Sequence, residues 1–144
     1  MLSRDVLATQ DVINHLALSV DARDWESARD CLTDTVEFAP TPAHPATTVP
    51  ATAFLEQLRT NVETFDATQH AVTNHVVAPT ADGLECTTSF RYEHLRDGRD
   101  WTFGGRQSYR LTRGDGRWRI ASIAMLATWQ HGDLSPRPNE TRPR

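Results

Sequence analysis

The hydrophobic period of this chain changes at about residue 65, and that change restricts the fold more than any other feature. Before it, apolar residues recur every three or four positions; after it, they alternate. Val6, Ile13, Leu16, Ala17 and Val20 make one stripe of an amphipathic helix over residues 4–20, with Ser3 placed to cap it. A short helix is predicted at about 24–32, with Asp24 as N-cap and Trp25, Ala28 and Leu32 as its inner stripe. TVEFA (Thr35–Ala39) has the branched and aromatic content of a brief strand. TPAHPATTVP is broken by three prolines and reads as a loop. Pro50 suits the first turn of a third helix, striped by Ala51, Phe54, Leu55, Leu58 and Val62.

Four strands are predicted after the change, at 67–78, 84–96, 100–113 and 117–130. The connections APTADG, RDGRD and RGDG each carry Asp-Gly, a strong hairpin signal. Helices followed by an antiparallel meander mean an α+β domain, with three N-terminal helices packed on a curved, mostly antiparallel sheet. The 144 residues fit one domain, placed at 1–131. Residues 132–144 are polar and proline-rich and read as a flexible tail.

Composition narrows the partners. With 15 basic and 19 acidic residues the net charge is −4, which is not the footprint of a nucleic-acid binder. No apolar run approaches a membrane span, and MLSRDVLATQ lacks the apolar centre of a signal peptide. Cys31 and Cys86 are isolated, outside any metal-ligand spacing, and read as reduced structural thiols of a cytoplasmic protein. The expected partner is a small molecule, with no nucleic acid and no membrane.

Alternation sorts each strand into two faces. Cys86, Thr88, Phe90, Tyr92 and His94 share one face; Phe103, Gly105, Gln107 and Tyr109 align on the next strand. Those apolar faces, tipped with a few polar groups, have the composition of a small-molecule cleft. Arg91, Arg106 and Arg110 fall on the opposite faces and suggest subunit association there. In FDATQHAVTNHVV (Phe65–Val77), His70 and His75 are five residues apart. Strict alternation sends them to opposite faces unless a bulge resets the parity, and His75 reads as exposed or interfacial.

Three segments carry a resemblance: SVDARDWESARDCLTDTVEF (Ser19–Phe38), ATQHAVTNHVV (Ala67–Val77) and GGRQSYRLTRGDGRWRIASI (Gly104–Ile123). Over about residues 5–132 the chain resembles the SnoaL-like branch of the nuclear transport factor 2-like superfamily, most of all the scytalone dehydratase-like subgroup. The resemblance implies a cone-shaped barrel enclosing a cavity, a homodimer or homotrimer, and catalysis without cofactor or metal. It implies an Asp before the short helix, a His opening the long strand and a His ending the next; these are Asp21 in VDARDW, His70 in ATQH and His94 in RYEH. Tyr92, Tyr109, Phe90, Gln107, Phe38 and Trp25 are the expected substrate contacts. The chain departs from the subgroup where its tyrosines stand, carrying Val20 and Phe38, and its third-strand polar pair is Gly105 and Gln107.

An Asp–His pair makes a general base, because the carboxylate fixes the tautomer and raises the basicity of the other ring nitrogen. The expectation is a dehydratase or polyketide cyclase acting on a small cyclic molecule, with His94 or a tyrosine as proton or hydrogen-bond donor. Asp21 has a competing role as a helix cap, which Asp24 also offers to fill. The alternatives are a non-catalytic binding or assembly module, and an isomerase with a carboxylate base. The segment Pro40–Pro50 is long enough to be considered as a lid.

Overall fold

Two Asp-Gly pairs pin the sheet. Asp97-Gly98 and Asp115-Gly116 have φ of 53, 72, 53 and 74°, the doubly left-handed backbone of a type I′ hairpin turn. Gly83 in the third Asp-Gly has a different reason to be glycine: a Cβ there would lie 2.1 Å from the Leu111 carbonyl oxygen. A computed structural model describes residues 1–133; of the tail expected at 132–144, Gly132 ends the last strand and the Asp133 N–H donates to the Asp100 carbonyl at 2.8 Å, while residues 134–144 lie outside the described residues.

The elements are α1 (Ser3–Asp21), α2 (Trp25–Asp30), β1 (Leu32–Ala39), β2 (Thr47–Pro50), α3 (Ala51–Val62), β3 (Ala67–Pro79), β4 (Leu84–Arg96), β5 (Arg99–Gly114) and β6 (Arg117–Gly132). One curved sheet has the order β2-β1-β6-β5-β4-β3, with β1 parallel to β6 and every other pair antiparallel. The loop expected at 41–50 thus ends in an edge strand, paired Val36 to Val49 and Phe38 to Thr47. Pro50 closes that strand and is the N-cap of α3 rather than its first turn. Ser3 lies inside α1; Leu2 is the N-cap, and Asp5 accepts its N–H at 3.4 Å. Leu32 starts β1 rather than ending α2.

The helices cover one face of the sheet. Ile13, Leu16 and Val20 of α1 and Leu55 and Val62 of α3 meet Cys86, Leu111, Ile120 and Ile123 from the strands. Both cysteines are buried free thiols, pushed by burial up to about 11. No helix among the described residues is long and apolar enough to cross a membrane.

Of the four register shifts in the sheet among the described residues, two bear on side-chain placement. Between Thr73–Ser89 and Val76–Thr87, β3 takes three steps while β4 takes two. The extra residue sits beside Asn74, whose φ is 57°. This bulge resets the parity. His75 therefore shares the side of Val77, which packs on the core, while Val76 is 67% exposed. The expectation that His70 and His75 face opposite ways is corrected. The His75 Nε2 is buried with no hydrogen-bond partner among the described residues, and burial lowers its pKa.

The second irregularity lies between Gly104 and Gly105, where β5 and β6 slip by one residue. A Cβ on Gly105 would stand 2.0 Å from the Leu126 carbonyl oxygen, and one on Gly104 would stand 2.4 Å from the Trp129 ring. Backbone cannot step aside, whereas the half-exposed Trp129 indole can. Gly105→Ala is therefore expected to destabilise by about 1–3 kcal/mol, and Gly104→Ala by less. Urea unfolding midpoints check this; the reverse order would overturn it.

Candidate active site

Asp21 is the last residue of α1. It is free for other work because Asp24 caps α2, accepting from the Ser27 N–H at 3.1 Å and the Ser27 hydroxyl at 2.7 Å. The Asp21 carboxylate instead crosses to β3. Its Oδ1 lies 2.6 Å from the His70 Nδ1 and accepts from the Thr68 hydroxyl at 3.0 Å, while Oδ2 accepts from the His70 backbone N–H at 2.8 Å. Burial works to raise the Asp21 pKa, but the His70 and Thr68 hydrogen bonds outweigh it and hold the carboxyl below its usual range. A carboxylate only accepts, so Nδ1 carries a ring proton, and in the neutral ring the lone pair falls on Nε2. The His70 side chain is 9% exposed.

His70 lines a cavity of about 440 Å³ under the helices. Its walls are mostly apolar, from Ile13, Leu16 and Val20 on α1, Phe54 and Leu58 on α3, and Phe38, Val72, Ile123 and Met125 on the sheet. Tyr92, Gln107 and Tyr109 supply polar groups. Both tyrosine hydroxyls donate to one atom, the Gln107 Oε1, at 2.8 and 2.6 Å. Burial pushes both phenols well up, so they stay protonated donors. That leaves the Gln107 NH₂ as the uncommitted donor: it makes no hydrogen bond to another described residue.

The expected site residues separate here. Asp21 and His70 meet, and His70, Phe38, Tyr92, Gln107 and Tyr109 reach the cavity. His94 does not line it. It is 5% exposed, stacked on Trp101 at 4.5 Å and Phe103 at 5.7 Å, with Nδ1 donating to the Trp101 carbonyl at 3.0 Å. Burial lowers its pKa to about 4, so at neutral pH it holds no transferable second proton. The expected donor role is corrected to packing behind His70, whose ring centre is 5.9 Å away. Phe90 is also set back, its ring tilted at 45° against Tyr92 with centroids 4.6 Å apart, and Trp25 packs against the core outside the cavity wall.

Gln57 and Asn61 line the cavity and were not anticipated. Their signal was helical spacing: 54, 57, 58 and 61 share one face of α3, but only its apolar members entered the stripe. Among the described residues, no group of three or more His, Cys, Asp or Glu side chains is placed to hold a metal ion.

The comparisons agree with this architecture. The family described as SnoaL-like domain matches residues 2–124. The Kfla4162 protein of Kribbella flavida is similar in structure, with a TM-score of 0.81 and 26% identity over 89% of this chain and 93% of that one. A Novosphingobium aromaticivorans protein provisionally named aromatic ring hydroxylase has a TM-score of 0.81 and 23% identity, covering 94% and 98%. Another from that organism, provisionally named scytalone dehydratase, has a TM-score of 0.77 and 14% identity, covering 89% and 87%. A search of curated proteins finds no match. The two names differ, as expected for a fold that hosts many chemistries. The match over residues 2–124, on helices covering a curved six-stranded sheet, assigns the chain to the SnoaL-like domain family of the nuclear transport factor 2-like superfamily.

Proposed function

We propose that the protein is a lyase of the dehydratase or cyclase type, with His70 as general base. The observation that carries this reading is the 2.6 Å Asp21–His70 contact, on a ring that lines an apolar cavity. In a dehydration, Nε2 takes a proton from the carbon beside a substrate carbonyl. The electron pair left behind forms the new C=C bond as hydroxide departs from the adjacent carbon. The imidazolium returns its proton to that hydroxide, releasing water. Charge developing on the carbonyl oxygen meets the Gln107 NH₂, which the two tyrosines hold by its oxygen. In a cyclisation the same carbanion attacks a second carbonyl instead.

The cavity also supports a substrate class. Among the described residues no arginine lines it, so the wall offers no permanent positive charge to pair with a phosphate or carboxylate. The sequence contains no lysine, so a Schiff-base route through a lysine amine is closed. These features favour a neutral cyclic hydroxyketone or polyketone. A carboxylate-base isomerase fits less well, because Asp21 already accepts from three donors.

A second reading, a binding module without turnover, is favoured by one observation. Val20 and Phe38 face the cavity and offer no hydroxyl to hold a water against the carbonyl. A panel of neutral cyclic β-hydroxyketones separates the two. Appearance of enone absorbance, lost in His70→Gln, is the expected result. Tight binding of the panel with no turnover by the wild type would favour the binding module.

A further inference from the structure

Two residues that never reach the cavity are placed to control the base. Resting on the reading of His70 as base, the geometry points to Arg23 and Thr68 as positioning residues that hold the Asp21 carboxylate in the orientation that aims the His70 ring. Arg23 follows the end of α1 with φ of 58°, a left-handed backbone that residues other than glycine rarely adopt. That turn sends its guanidinium back between three elements. One nitrogen donates to the Val20 carbonyl at 3.2 Å and to the Thr68 hydroxyl oxygen at 2.8 Å; the other donates to the Val62 carbonyl at 3.0 Å. Val20 and Val62 lie at the C-terminal ends of α1 and α3, where carbonyls lack partners within their own helices. The guanidinium fork thus ties both helix ends to the start of β3.

The hydrogen bonds then run in one direction. A hydroxyl has a single proton to give. With Arg23 donating to its oxygen, Thr68 turns that proton onto the Asp21 Oδ1 at 3.0 Å, the same oxygen that meets the His70 Nδ1. The order is Arg23 to Thr68 to Asp21, with His70 donating from the other side. Asp21 and His70 are 49 residues apart on separate elements. Their 2.6 Å contact therefore depends on how the end of α1 is seated on β3, and Arg23 and Thr68 are the side chains that seat it. The Arg23 charge is not spent on a carboxylate: no acidic oxygen of a described residue lies within ion-pair distance of it.

The test uses the full chain labelled with ¹⁵N-histidine, and a nitrobenzisoxazole as a neutral probe of base-catalysed ring opening in the cavity. The wild type is expected to show a far-downfield Nδ1 proton on His70 from the short hydrogen bond to Asp21. Thr68→Val should move that resonance upfield and lower probe kcat about 10-fold, with KM unchanged because Thr68 does not line the cavity. Thr68→Ser should restore both. Arg23→Lys should reproduce Thr68→Val, since an ammonium cannot match the fork that meets two carbonyls and a hydroxyl. A wild-type resonance and kcat in Thr68→Val, or in Arg23→Lys, would overturn the inference. The base reading is judged separately: full probe turnover in His70→Gln sinks that reading, while the resonance still reports on the positioning without any turnover.

Discussion

Exchange of His70 for glutamine is expected to lower ring opening of a nitrobenzisoxazole by about 10²–10⁴-fold, the span of a positioned general base. The argument is geometric. His70 is the only histidine on the cavity wall among the described residues, and its Nδ1 is committed to Asp21. On the proposed base role, Nε2 is the nitrogen that takes the substrate proton. Glutamine keeps most of the volume and offers no comparable base. Asp21→Asn should cost about 10²-fold. It removes the charge that stabilises the imidazolium and no longer enforces the tautomer. KM should change little for Asp21→Asn, since Asp21 is not part of the wall. Stopped-flow absorbance gives both constants. Loss confined to KM in His70→Gln would mean that His70 binds the probe without taking its proton.

Acidification from pH 7 to pH 4 is expected to remove about 3 kcal/mol of stability through His94 alone. Burial moves its pKa from 6.5 to about 4. Each unit is worth about 1.4 kcal/mol. The folded pKa lies below the unfolded one, so between those values the unfolded chain binds more protons and stability falls as pH falls. His75 shifts in the same direction for the same reason. Asp21 also loses stability on acidification, but its window lies below its ordinary value of 3.8, because its folded pKa is depressed. His94→Phe isolates the effect. It keeps an aromatic plane against Trp101 and Phe103, while losing the bond to the Trp101 carbonyl, worth about 1 kcal/mol. The variant should be somewhat less stable than wild type at pH 7 and should close or reverse that gap at pH 4. Urea unfolding at both pH values measures it; a constant gap would show that His94 does not titrate in this window.

These two histidines also show how far local pattern reaches. Both stand on inward-facing strand positions. What separates them is their neighbours. His94 is pressed among Phe65, Trp101 and Phe103, with its donor spent on a carbonyl. His70 has a carboxylate from α1 and one open side. The partnership with Asp21 came from the resemblance, not from spacing. Thr68 stands two residues before His70 and could have been noticed as a strand neighbour. Arg23 had no local signal, since an arginine after a helix ordinarily reads as a solvated end.

Period, turn chemistry and capping are properties of a few adjacent residues, and those were legible: the order of helices and strands, both tight Asp-Gly hairpins, and Asp24 as the cap of α2. Pairing between distant segments was not. The parallel contact of β1 with β6, the edge strand β2 within a proline-rich stretch, and the bulge at Asn74 that turned His75 inward all depend on where another strand lies. Burial depends on the whole fold as well, and burial decided that His94 is uncharged at neutral pH while Asp21 stays ionised. The sequence by itself determined the helices and every strand but β2, and their order, because backbone preference is local. Tertiary structure alone decided which side chains meet and in what charge state, because hydrogen-bond partners and desolvation are supplied by residues far away in the chain.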